Sequence, residues 1–217
     1  AVKDSNGITT LPGGGLITTK GGTKLEVPEG TTIDADGKVT IPADKSAEVT
    51  LPGDSGLTLN IREGAELVID DDAPLGFSVV SGNPFQDVNE DHWAYNFVNT
   101  AYTFGLYDGT TSTTFSPGTS MTRAMIVQVL ANLEDADLSD YTNSRFSDVE
   151  EGKWYTAAIE WAADNGIVSG ISADLFDPNA SMTREQMLVI MYNYLNYLGY
   201  ELPQSQAQSF ADEGEIS

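Results

Sequence analysis

Phe85-Gln86-Asp87-Val88-Asn89-Glu90-Asp91-His92-Trp93 and Phe146-Ser147-Asp148-Val149-Glu150-Glu151-Gly152-Lys153-Trp154 are one phrase written twice, 61 residues apart. The agreement continues without a gap. Gly105, Gly109, Phe115, Pro117, Met121, Thr122 and Arg123 return as Gly166, Gly170, Phe176, Pro178, Met182, Thr183 and Arg184. A repeat of this kind decides the architecture, because one supersecondary unit cannot bury its apolar face alone and needs a neighbour. Two full copies occupy 85–145 and 146–209. A third starts at 210–217, where Phe210-Ala211-Asp212 reopens the phrase. Its Trp would fall one position past Ser217, so the native polypeptide is expected to continue.

Within each copy the apolar spacing is helical. Trp93, Phe97 and Ala101 fall at i, i+4 and i+8; Ile126, Val129, Leu130 and Leu133 fall at i, i+3, i+4 and i+7. Trp154, Ala158, Trp161 and Ala162 repeat the first stripe, and Met187, Ile190, Met191 and Tyr194 the second. Each stripe predicts the buried face of one helix. Gly105 and Gly166 stand where a left-handed helix C-cap wants glycine. The stretch from Gly105 to Ser120 is a long loop, with Phe115 and Phe176 expected to plug it onto the helices. The scaffold also takes Phe85, Phe146, Val88, Val149, Pro117 and Pro178.

Residues 1–80 differ in kind. Lys24–Val27, Lys38–Ile41, Glu48–Leu51, Leu57–Ile61 and Glu66–Ile69 alternate apolar and polar residues, the period of a half-buried strand. Leu11-Pro12, Val27-Pro28, Ile41-Pro42 and Leu51-Pro52 close segments with a residue that cannot donate to a ladder. The fold class is therefore multidomain α and β. An all-β unit, either a sandwich or the end of a β-solenoid, precedes helix-loop-helix repeats, with Gly82-Asn83-Pro84 as the linker.

A net charge of −23 argues against nucleic acid, which needs basic surface, and against anionic membranes. No stretch approaches the roughly 18 apolar residues of a membrane span, so no membrane insertion is expected. Cysteine is absent, which removes disulfides and thiolate chemistry. The N-terminus has neither the basic start nor the apolar core of a signal peptide and lacks an initiating Met. It reads as part of a longer polypeptide. No cofactor or metal is expected. His92 is the sole histidine, and Asp34-Ala35-Asp36-Gly37 lacks the later bidentate acid of a calcium loop, so it reads as a turn. Gly13-Gly14-Gly15 has no helix after it, so it is no phosphate loop.

Thr122 and Thr183 sit where a helix N-cap belongs, and Gln186, three residues past Thr183, can complete a capping box that Met125 cannot. Arg123 and Arg184 then fall in the first helical turn, against the macrodipole, at a cost of roughly 0.3–1 kcal/mol. Among residues 85–217 the only bases are Arg123, Arg145, Lys153 and Arg184, set among 20 acids. Two of four bases at one unfavourable repeat position need a reason. One is an anionic ligand, since guanidinium pairs bidentately with a carboxylate. The other is a structural ion pair to Asp87, Asp148 or an acid of the neighbouring repeat. Trp93 and Trp154 can stack on a sugar or anchor the core. Asp87 and Asp148 can bond sugar hydroxyls or cap the turn before the first helix.

Phe-x-Asp-Val, Trp, Gly-Leu/Ile-x-x-Gly, Phe-x-Pro and Met-Thr-Arg before an apolar helix together resemble the S-layer homology repeat, over 85–217. The resemblance implies a pseudo-threefold helical bundle that holds a secreted protein on the bacterial cell wall. It implies binding to a secondary cell wall polysaccharide, often pyruvylated, in grooves between repeats. Its groove residues carry over as Arg123, Arg184, Thr122, Thr183, Trp93, Trp154, Asp87, Asp148, Gly109 and Gly170. The family's usual Thr-Arg-Ala-Glu is incomplete in both copies, which read Thr122-Arg123-Ala124-Met125 and Thr183-Arg184-Glu185-Gln186. The location implied is extracellular, at the cell surface, and no catalysis is expected of this segment. Two alternatives stay open: a wall-anchored glycan-active enzyme whose catalytic part lies upstream, and a protein–protein assembly module that self-associates through the incomplete third repeat.

Overall fold

The computed structural model describes residues 1–53 and 57–200. The reopening phrase at 210–217 lies outside the described residues. Ten short strands come first: β1 (Val2–Lys3), β2 (Thr9–Leu11), β3 (Gly15–Thr18), β4 (Lys24–Val27), β5 (Thr31–Ile33), β6 (Lys38–Thr40), β7 (Ala47–Thr50), β8 (Thr58–Ile61), β9 (Glu66–Ile69) and β10 (Phe77–Val79). Among the described residues four helices follow: α1 (Tyr95–Thr103), α2 (Arg123–Leu133), α3 (Thr156–Asp164) and α4 (Arg184–Tyr197). The helices of the second copy start 61 residues after those of the first, 95 to 156 and 123 to 184. The repeat is therefore structural as well as textual.

The strands form two sheets, of order β1-β2-β5-β6-β9-β10 and β3-β4-β7-β8. Successive hairpins alternate between the sheets, and every pairing of the named strands is antiparallel. Stacked parallel coils, as in a β-solenoid, are not what these hairpins build. Alternation does the work the sequence expects of it. Leu25 and Val27 of β4, Ala47 and Val49 of β7 and Leu59 and Ile61 of β8 are buried, while their neighbours face out. Val39, Leu67 and Phe77 from the other sheet join the same core. The Asp34–Gly37 turn links β5 to β6. Asp34 Oδ1 accepts from the Asp36 and Lys38 amides at 2.9 and 2.8 Å, and Gly37 takes a φ of +81°. That carboxylate oxygen is thus engaged by its own turn.

The chain divides into two compact units, Ala1–Gly118 with Leu133–Asp135, and Thr119–Asn132 with Ala136–Ser217. The division passes through the first repeat, placing α1 with the strands and most of α2 with the second repeat. In the first unit Phe85, Val88, Ala94 and Val98 form a satellite core. In the second, Ala158, Ile159, Trp161, Ala162, Ile167 and Phe176 are buried with Val127 and Leu130 of α2.

Helix ends follow the sequence closely. Gly105 and Gly166 have φ of +68° and +69°. The next amides, Leu106 and Ile167, donate back to Ala101 and Ala162, closing each helix with the same left-handed cap. Two stripes are corrected: in α4 Met191, expected on the buried face, is 36% exposed, and the first-helix stripe departs further. Trp93 and Phe97, expected on a buried face, are 83% and 71% exposed, and Trp154 is 58% exposed. Both Trp residues precede their helices, which begin at Tyr95 and Thr156. The buried face of α1 is carried by Val98, Asn99 and Thr103 instead.

Candidate functional site

The long loop of each copy is held by the same parts. Asp87 accepts from the Phe115 and Ser116 amides at 2.8 and 2.7 Å. Asp148 accepts from the Phe176 and Asp177 amides at 2.9 and 2.7 Å. Ser116 and Asp177 stand in the left-handed region, with φ of 64° and 58°, and this turn aims two successive amides at one carboxylate. The bond from the Phe115 amide is the main reason the Asp87 carboxyl is held below the usual carboxylate range. Neither Asp caps the turn before its helix; each reaches across to pin a loop.

The aromatic plugs repeat as well. The tilted rings of Phe85 and Phe115 have centroids 5.4 Å apart, as do those of Phe146 and Phe176. Gly109 and Gly170 make room for them. A Cβ on Gly109 would strike the Phe85 ring and the carbonyls of Thr111 and Thr114, and Gly109 also needs a φ of +80°. A Cβ on Gly170 would strike Phe146 and the carbonyls of Ser172 and Leu175. The two loop glycines are therefore required by close approach of ring and backbone.

The arginines part company. Arg123 is 7% exposed. Its Nε donates to Phe176 O at 2.9 Å and its Nη2 to Ser169 O at 3.0 Å, while the guanidinium carbon lies 4.5 Å from the Phe176 ring centroid. The backbone joins in: the Arg123 and Ala124 amides donate to Ala180 O and Pro178 O, and the Met182 amide donates to Met121 O. Burial draws the Arg123 guanidinium below its usual range, while the charges of Asp177 and Asp148 oppose that. Arg123 thus joins the start of α2 to the second repeat's loop. Its hydrogen-bond partners are neutral carbonyls, a kind the sequence alternatives of ligand or ion pair did not include.

Arg184 is exposed. With Thr183, Met121, Met182, Met187 and Leu188 it lines an open cavity of about 350 Å³. The helix beneath begins with a complete capping box, in which Thr183 Oγ1 accepts from the Gln186 amide and Gln186 Oε1 accepts from the Thr183 amide. At α2 the Met125 amide donates to Thr122 Oγ1 at 3.3 Å, but only the Met125 sulfur faces the Thr122 amide, at 3.5 Å.

One further feature escaped the sequence reading. The segment entering each copy is held by position 99 or its counterpart 160. Asn99 accepts from the Asn83 amide at 2.9 Å. Glu160, nearly buried, accepts from Ser144 Oγ, the Arg145 amide and Arg145 Nε, each at 2.8 Å. The Glu160 and Asp164 hydrogen bonds raise the Arg145 pKa. Because Asn and Glu do one job with different chemistry, identity matching passes over the position. Among the described residues no group of His, Cys, Asp and Glu could hold a metal ion. No described helix is long and apolar enough to cross a membrane.

The S-layer homology domain model matches residues 84–124 and 145–188, the two segments just described. The chain is 34% identical over 134 residues to exoglucanase XynX of Acetivibrio thermocellus, covering 61% of this chain and 12% of that protein. It is 35% identical over 139 residues to an endoglucanase of Bacillus sp. strain KSM-635, covering 62% of this chain and 14% of that one. It is 28% identical over 111 residues to the S-layer protein sap of Bacillus anthracis, covering 51% of this chain and 13% of that one. The chain thus spans only a small part of the length of these relatives.

Proposed function

For a chain carrying S-layer homology domains at 84–124 and 145–188, we propose anchoring at the bacterial cell surface through an acidic, pyruvate-bearing secondary cell wall polysaccharide. The domains are anchoring modules, and no catalytic role is assigned to them. The observation that carries the reading is the pair of exposed indoles, Trp93 and Trp154, at one position in both copies. An exposed Trp is costly to leave in water and suits the apolar face of a sugar ring. Arg184 supplies the cation, beside a cavity of small-ligand size. Thr183 sits at the same edge. Arg123, Thr122, Asp87, Asp148, Gly109 and Gly170 act indirectly, by holding the loops that wall the grooves.

In this reading the β-rich unit is a sandwich, and the helices are one part of a pseudo-threefold bundle. The exposed face of α4, with Leu188, Val189 and Tyr192, is a surface through which copies of the chain can self-associate. The enzymatic relatives support a second reading of the whole polypeptide, as a wall-anchored glycan-active enzyme with its catalysis elsewhere.

The test is sedimentation of the chain with purified Gram-positive walls, before and after acid stripping of their polysaccharide. Binding should be lost on stripping. Trp93→Ala with Trp154→Ala, or Arg184→Ala alone, should weaken it at least tenfold while circular dichroism is unchanged. Undiminished binding by these folded variants would sink the site.

A further inference from the structure

No repeat precedes the first one among the described residues, yet its opening helix is not bare. The helix α1 has nine residues, too few to persist alone in water. Phe104, at its C-terminal end, is 4% exposed and belongs to the same core as Leu25, Val49, Leu67 and Phe77 of the strands. The Phe104 and Phe77 rings lie 6.3 Å apart. Arg62, immediately after β8, takes hold of the same end. Its amide donates to Thr103 O at 2.8 Å and its Nε to Tyr102 O at 2.5 Å. Its guanidinium carbon lies 4.4 Å from the Tyr102 ring centroid, and its Nη2 pairs with Asp108. The last carbonyls of a helix lack intrahelical donors and carry the negative end of the dipole, so a cation there satisfies both needs.

This grip has the form of the Arg123 joint: guanidinium over an aromatic ring, Nε on a main-chain carbonyl, Nη2 on a second oxygen. The residue that Nη2 reaches is also the equivalent one, since Asp108 is 61 positions before Ser169. Arg62, Arg123 and Arg184 themselves stand 61 residues apart, 62 to 123 to 184. We infer that the β-rich unit is the packing partner of the first S-layer homology repeat, with Arg62 as the positioning residue that locks α1 to it. The strands and α1 then open and close as one cooperative body, and residues 1–80 are no passive spacer.

Hydrogen exchange of the full chain, read by mass spectrometry, tests this without any ligand. Val49→Ala thins the β core at β7, outside the Arg62 grip. Amides of α1 should then exchange faster by the same factor as those of β4 and β8, with α3 unchanged. If the strands lose protection tenfold while α1 keeps its own, the inference is overturned. Arg62→Ala gives a second readout should Val49→Ala fold poorly. It should accelerate exchange across Tyr95–Thr103 at least tenfold, and an unmoved α1 would equally overturn the inference. Arg145→Ala, which breaks the ion pairs of α3, should leave α1 untouched.

Discussion

Arg123 and Arg184 fill the same place in two copies of one motif, and their surroundings are opposite. The first is enclosed by the loop of the following repeat; the second faces an open cavity. The helices behind them differ in the same way. Val127, Leu130 and Ala131 of α2 are buried, whereas their counterparts Leu188, Met191 and Tyr192 of α4 are exposed, Leu188 to 70%. Propensity and cap quality do not explain this, because α4 has the better cap and the greater length. A helix of this repeat buries the face that a neighbour covers, so burial belongs to the joint rather than to the segment. The same comparison underlies the proposed anchoring role. A guanidinium engaged by two carbonyls and a ring is a brace, and one in an open cavity is available to an anion.

The contrast breaks most sharply by deleting each arginine. Arg123→Ala removes two hydrogen bonds and a cation–π contact and strands the buried Phe176 carbonyl, so it should cost about 3 kcal/mol. Arg184→Ala should stay within about 0.5 kcal/mol, as an exposed substitution. Urea denaturation followed by circular dichroism separates the two, and equal losses would remove the distinction between brace and ligand contact. The loop that receives Arg123 comes next. Gly170→Ala drives a methyl into Phe146 and two carbonyls and should cost about 2 kcal/mol by the same assay; a neutral result would mean that the loop shifts freely. The smallest effect concerns the caps. Met125→Gln should give α2 the reciprocal bond that α4 already has, adding about 0.5 kcal/mol and roughly 1–2 °C in Tm. No gain would show that the joint, and not the cap, fixes the start of α2.

Much of this was legible beforehand because it rests on local rules. Five strands announced themselves by alternation, and β4, β7 and β8 bury the residues that alternation selects. Strands β2 and β5 were missed because Thr9-Thr10-Leu11 and Thr31-Thr32-Ile33 are too short and too polar for a period-two signal. The Trp93–Phe97 stripe misled because i, i+4 spacing says that two residues share a face without saying which way that face points. Likewise, Asp87 and Asp148 were visible as repeated acids, but nothing in the text places their carboxylates on amides 28 and 29 residues ahead.

The sequence by itself determined the repeat, its period, the Thr-capped starts of α2 and α4, the glycine stops of α1 and α3, and the change from strand to helix near Pro84. Each depends on backbone preference or on spacing within one segment, which the chain carries wherever it goes. Only the tertiary structure decided which arginine is enclosed, which indoles face water, and that the strands share a core with α1. Those outcomes depend on what lies against a side chain across long stretches of sequence, and desolvation by a neighbour is a property of the packed pair, which no single segment contains.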